Sequence, residues 1–203
     1  MGAIRLIGIV ILGALLWPAP AAGRTLIHAG RLIDVADATV LEARTIVVEA
    51  DRVAAVQAGY ADPGPGDTVV DLTAATVMPG WIDMHVHITH EQSPRRQVES
   101  FTLDPADQAF RSVAYAERTL MAGFTTVRDL GTDHGIAQSL RDAIAQGWVV
   151  GPRIVTAGKA IASTGGHADP SNGRNQELAW DPGPIDGVVN SVTDAYKAVR
   201  ARY

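Results

Sequence analysis

Between Val77 and His90 the chain reads VMPGWIDMHVHITH, which sets two histidines two residues apart at the far end of a short apolar run. Trp81 to His87 has the length and β-branched content of a buried strand, and Pro79-Gly80 ahead of it signals a turn. Side chains alternate across a strand, so Asp83, His85 and His87 are expected on one face and Ile82, Met84 and Val86 on the other. Two imidazoles on one side of a strand, with backbones about 6–7 Å apart, can reach a single cation. Histidines at this spacing also serve as ordinary packing residues, so the pattern needs support from its surroundings.

The segments that follow alternate helix and strand. Asp104-Pro105 supplies an N-cap with proline at the first helical position, and a helix is predicted up to a stop at Gly123, with Val113, Ala116, Leu120 and Met121 as its core face. Phe124–Leu130 is a second short strand, Ile136–Gln146 a second helix stopped by Gly147, and Arg153–Ala157 a third strand, the βαβ rhythm of a parallel sheet. Arg128 and Asp129 stand at the carboxyl end of the second strand, where barrel enzymes place functional groups, and a structural ion pair made by either is read ahead of a functional role. A long loop rich in Gly, Pro, Asp and Asn covers residues 158–190 and contains TGGHAD at Thr164–Asp169. Ser191 caps a last helix whose apolar stripe is Val192, Ala195, Tyr196 and Val199. Residues 90–104 read as an irregular polar loop, with His90 as a solvated loop residue ahead of one that approaches the metal or the substrate.

Ahead of the histidine pair, residues 25–77 form short strands separated by turns: TLIHAGRLID, RTIVVEA, RVAAVQA, TVVDL and ATVMP, with a hairpin at Ala50-Asp51 and a Pro/Gly loop at Tyr60–Asp67. His28 is taken as structural.

MPGWIDMHVHI resembles the first-strand signature of the amidohydrolase superfamily, PGxIDxHxH. AGFTTVRDLG (Ala122–Gly131) and GPRIVTAGKAIASTGGHAD (Gly151–Asp169) resemble the second and third strands of its imidazolonepropionase-like and Xaa-Pro dipeptidase (prolidase-like) branch. The resemblance implies an α/β chain: a signal peptide over 1–23, part of a small β-sandwich over 24–78, and over 79–203 the first three βα units of a TIM-type (β/α)₈ barrel that is incomplete in this chain. A closed barrel takes about 250 residues, whereas about 120 follow Gly80, so the chain is expected to be the N-terminal part of a longer protein. The same resemblance makes His85 and His87 ligands of a divalent metal, Zn²⁺ first among the candidates with one or two ions, and turns His167 toward the substrate. It excludes Lys159 as a metal-bridging lysine, since in relatives that residue ends the fourth strand, and no catalytic residue is identifiable here. The implied activity is metal-dependent hydrolysis of an amide or peptide-like C–N bond in a small molecule or dipeptide. Two alternatives stay open: a catalytically inactive fragment or binding remnant, and a mononuclear deaminase or ring-opening enzyme.

Composition narrows the partners. The net charge is −5 without a run of Lys or Arg, which argues against nucleic acid and a polybasic membrane patch. No cysteine is present, so a metal here relies on nitrogen and oxygen donors. Arg5, the apolar run Leu6–Trp17 and the small residues up to Gly23 form a secretory signal, which predicts a periplasmic or secreted protein with no stable membrane span after cleavage. Assembly as a homo-oligomer is left open.

Overall fold

The computed structural model describes residues 23–202, so the signal peptide expected over 1–23 lies, apart from Gly23, outside the described residues. The chain divides between Pro79 and Gly80 into two compact units.

The first unit is a four-stranded mixed sheet of β1 (Thr25–Asp34), β2 (Thr39–Glu49), β3 (Arg52–Ala58) and β4 (Thr68–Val77) in the order β3-β2-β1-β4. Local chemistry closes its hairpins. Asp34 Oδ1 accepts the amides of Ala36 (3.0 Å) and Asp37 (3.4 Å), which turns the chain from β1 into β2. Ala50 takes the left-handed φ of 53° so that Glu49 can pair with Arg52 across a two-residue turn. The two strands expected over residues 68–79 are one, because β4 pairs in parallel with β1 throughout and absorbs the break as a bulge between Ala29 and Arg31. Gly30 makes that bulge possible, since a side chain there would collide with the Thr73 carbonyl. Leu26, Ala29 and Leu32 of β1 and Thr45, Ile46 and Val47 of β2 are buried. Thr45 donates to Gly59 O and accepts from Ala61 N, both at 2.9 Å, and His28 Nε2 lies 3.1 Å from Ala61 O, which gives this histidine a structural partner.

The second unit is a parallel sheet of β5 (Trp81–Val86), β6 (Phe124–Asp129) and β7 (Arg153–Thr156), in that order, with α2 (Pro105–Met121), α3 (Ile136–Ala145) and α4 (Val192–Arg200) following the strands in turn. The arrangement is α/β. Its core gathers around the central strand: Val127 of β6 and Ile154 of β7 pack with Ile88, Ala116, Ala137 and Leu140. A short helix, α1 (Arg96–Thr102), occupies the stretch expected to be irregular and is tied to α2 by a 3.0 Å ion pair between Glu99 and Arg111. The long loop after β7 is stitched to itself by a parallel bridge between Ala162 and Val188.

Three expectations about burial fail, for one reason. β5 pairs on one side alone, and Trp81, Ile82 and Met84 are exposed, Ile82 by 60%. Met121, expected in the core, is 78% exposed at the end of α2, where Ser112 and Ala116 are the buried residues. On α4 the predicted stripe of Val192, Tyr196 and Val199 faces solvent and Ala198 is buried instead. An apolar periodicity records which face a segment can bury, and burial follows when a neighbour supplies the other surface.

Two outcomes test these packing arguments. Asp67 accepts Arg24 Nη2 and Nε and the amides of Arg24 and Gly64, and the Arg24 guanidinium, first among these, holds its carboxyl well below the usual carboxylate range. A depressed folded pKa contributes stability that is complete above the unfolded value near ~4 and fades as pH falls through the folded one. Asp67→Asn therefore lowers Tm at pH 7, and the gap to the unaltered protein narrows below about pH 4 in paired melts. A gap that stays constant with pH would contradict this assignment. At the start of β5, a Cβ on Gly80 would collide with the side chain of Thr125. Gly80→Ala should cost about 1–3 kcal/mol in urea unfolding, and Thr125→Gly in the same molecule should recover most of it.

Candidate functional site

The strand that carries the histidines is not regular. Asp83 pairs with Val127 and Val86 with Asp129, so β5 spends three residues where β6 spends two. This bulge breaks the alternation, and Asp83 does not share a face with His85 and His87. It lines a hollow against α2 with Val86, Tyr115 and Phe124, while its Oδ1 accepts the His85 amide at 2.9 Å and holds the bulge closed. The histidines line a different hollow, a cleft of about 700 Å³ at the carboxyl ends of the strands that shares Glu91 and Tyr115 with the first.

His85 and His87 have ring centroids 5.6 Å apart at an interplanar angle of 70°. His87 Nδ1 lies 2.9 Å from the carbonyl oxygen of Gly131, which can only accept, so Nδ1 carries the proton and Nε2 keeps its lone pair. Gly131 has no side chain, and a Cβ there would come within 2.9 Å of the Ala160 methyl, so the loop after β6 packs close against the loop after β7. His90 stacks on His87 at 5.4 Å and 21° and lines the same cleft, contrary to its expected solvated position. Burial pushes His90 below the ordinary histidine range, helped by the charge of Arg96 and by His87 and opposed by Asp129.

Among the described residues neither Arg128 nor Asp129 makes the ion pair expected of it, and the two point to opposite faces of the strand. Arg128 Nε donates to Met84 O at 2.8 Å, whereas Asp129 is fully buried. Its Oδ2 accepts the Ile88 amide (2.9 Å), its Oδ1 accepts the Gly131 amide (3.3 Å) and the Thr156 hydroxyl (3.4 Å), and Thr132 Oγ1 lies 2.9 and 3.0 Å from the two oxygens. One carboxylate thus ties together the ends of all three strands.

His167 also lines the cleft and is exposed. Its loop is built on Asp169, which accepts the amide of Gly165 at 2.7 Å and the amide and hydroxyl of Ser171 at 2.8 and 2.7 Å, bonds that hold its carboxyl below the usual range. Asn190 fastens the same loop by bonds to both the amide and the hydroxyl of Thr164. Lys159 reaches the cleft as the partner of Asp133, 3.1 Å away. Arg174 has no acidic partner among the described residues: its guanidinium lies 5.2 Å from the rings of both Phe101 and Trp180, and Nε donates to Pro170 O. Four residues of this site were not singled out in the sequence for the roles they have here: His90, Asp129, Asp169 and Arg174. Asp169-Pro170-Ser171 did carry a readable signal, since an aspartate two residues before a free amide favours an Asx turn.

The donor set can be compared with what a metal requires. His85 and His87 bring two imidazole rings to one cleft, a donor type that suits zinc and other borderline cations, although among the described residues no third His, Cys, Asp or Glu completes a ligand group with them. Among those residues no helix is long and apolar enough to cross a membrane.

Known proteins agree with this architecture. A solved Xaa-Pro dipeptidase with methionine bound in its active site matches 89% of this chain at 42% identity and a TM-score of 0.82. A prolidase complexed with N-methylphosphonate-L-proline matches 88% at 32% identity and a TM-score of 0.72. In sequence, the ochratoxinase of Aspergillus niger is 31% identical over 94 residues, 46% of this chain and 19% of that protein. The chain spans 44% and 43% of the two solved relatives, less than half of each. The amidohydrolase family model matches residues 76–202, the whole histidine-bearing unit together with the last residues of β4, and the chain belongs to the amidohydrolase family.

Proposed function

We propose that this chain supplies the first part of a metal-dependent hydrolase that cleaves an amide or peptide-like C–N bond, and that His85 and His87 hold a divalent ion, zinc foremost. The three βα units are then the opening of a (β/α)₈ barrel, which places the histidines at the carboxyl end of its first strand, where such barrels carry their chemistry. The observation that carries the reading is the 2.9 Å approach of His87 Nδ1 to the Gly131 carbonyl: with Nδ1 committed there as donor, Nε2 is the nitrogen left to bind a metal. Bound there, zinc would polarise the scissile carbonyl and bring the pKa of a bound water down to about 7. The remaining donors, and the residue that moves the proton, belong to the part of the protein beyond the described residues. The rest of the work falls to this chain. His167, on a loop fixed by Asp169, faces the substrate, and the Ala160–Gly131 contact keeps the walls of the cleft at a fixed separation.

A carboxylate-bearing substrate such as a dipeptide suits the charges of the cleft. Arg111 is spent on Glu99 and Lys159 on Asp133, whereas among the described residues Arg96 and Arg174 have no acidic partner, Arg96 bonding Gln92 and Arg174 lying 5.2 Å from the rings of Phe101 and Trp180. The dipeptidase and prolidase neighbours support the same substrate class. Export to the periplasm or the medium completes the proposal and follows from the leader sequence.

The complete protein should lose hydrolysis of aminoacyl-proline dipeptides on chelation and regain it with Zn²⁺, and His85→Ala or His87→Ala should lower kcat/KM by more than about 100-fold together with metal content. Full activity in a chelated, metal-free preparation would sink the reading. Arg174→Met should raise KM by roughly 10- to 100-fold with kcat little changed, the loss expected for one charge-assisted hydrogen bond of ~1.5–3 kcal/mol. Unchanged KM would remove Arg174 from the substrate site.

A further inference from the structure

We propose that Asp129 is a positioning residue for the histidine pair, acting on His87 from two sides. The inference rests on the reading of His85 and His87 as metal ligands, but its main readout does not.

One oxygen of the Asp129 carboxylate takes the amide of Ile88, which is the peptide that leaves His87, and so fixes the backbone on which the ring is mounted. The other oxygen takes the amide of Gly131, whose own carbonyl receives the proton on His87 Nδ1. The ring is therefore held at its root and at its far nitrogen by groups that converge on one buried carboxylate. Every partner of that carboxylate is a donor: two backbone amides and the hydroxyls of Thr132 and Thr156. A buried carboxylate is tolerated where such donors fill its lone pairs, and the donors are in turn immobilised by it. Removing the charge frees the loop after β6. The Gly131 carbonyl then no longer selects one tautomer, and His87 Nε2 is protonated part of the time and unable to bind a cation.

Asp129→Asn tests this in the complete protein, because the amide nitrogen that replaces one oxygen cannot accept from Ile88 or Gly131. In metal-free protein labelled with ¹⁵N-histidine, the long-range proton–nitrogen spectrum of the unaltered chain should show His87 protonated at Nδ1. In the variant it should show a mixture, with His85 unchanged. The Kd for Zn²⁺, read by chelator competition, should rise by about 10- to 100-fold. Thr132→Val removes one donor and leaves three, and should move both readouts the same way by a smaller factor; it carries the test if Asp129→Asn does not fold. A folded variant with both the His87 tautomer and the zinc affinity unchanged would overturn the proposal. So would weakened zinc binding with the tautomer intact, since that is the result of a loosened fold alone. If the unaltered protein binds no zinc, the metal reading fails, and the tautomer spectra still decide the role of Asp129.

Discussion

The Asp129 carboxylate is the constraint on which the histidine-bearing unit depends. A charge buried this completely would cost several kcal/mol without partners, and the sequence around it is arranged so that partners come from every strand end: Ile88 after β5, Gly131 and Thr132 after β6, Thr156 at the end of β7. Backbone bonds follow the same seam, with Leu130 N reaching Val86 O, Ala157 N reaching Asp129 O and Thr132 N reaching Gly158 O. The carboxyl ends of three parallel strands are thereby locked to one another. The apolar core at Val127 and Ile154 lies just beneath, so loss of the carboxylate would loosen the site before it loosened the sheet.

The bulge in β5 is the second arrangement that follows from this locking. If β5 and β6 kept a regular register, Asp83 would face the cleft beside His85 and His87 and place a carboxylate among the histidines. The extra residue between Asp83 and Val86 turns Asp83 to the other side, where it accepts the His85 amide and stabilises the irregularity that put it there. Alternation along WIDMHVH was a sound inference from an ideal strand. It failed because a bulge is decided by the neighbouring strand and by one side-chain bond, neither of which periodicity can register.

The same contrast separates what was readable in this chain from what was not. Elements with local causes were legible: Asp104-Pro105 starts α2, Ser191 accepts the Asp194 amide and caps α4, and β6 and β7 lie where short β-rich runs follow helices. The histidine pair was legible because its spacing is itself the signal. Asp129 and Arg174 were not, since each acquires its role from residues far along the chain, Asp129 by collecting four donors and Arg174 by lying against Phe101 and Trp180, whereas His90 stacks on His87 three residues away, a cleft position that the sequence allows but ranks below a solvated one. Met121 and the Val192–Tyr196–Val199 stripe failed in the opposite sense, because an apolar face is a capacity for burial and the surface that would cover it is not among the described residues.

The charges around the cleft divide into those that build it and those left for chemistry. Glu99–Arg111 joins α1 to α2, Lys159–Asp133 joins the loops after β7 and β6, and Glu91–Arg118 joins the loop after β5 to α2. Each is partly exposed and worth little to stability, about 0–1 kcal/mol, so their common effect is to fix orientation and to keep these six charges from competing for a ligand. Asp169 is likewise consumed by its own loop. What remains facing the open volume is imidazole on one wall and, among the described residues, the guanidiniums of Arg96 and Arg174, neither of which has an acidic partner. Under the proposed function, those groups suit a ligand whose amide meets the histidines and whose free carboxylate lies some distance away. The selectivity of the cleft therefore rests less on the charges it contains than on which of them have already been neutralised within the fold.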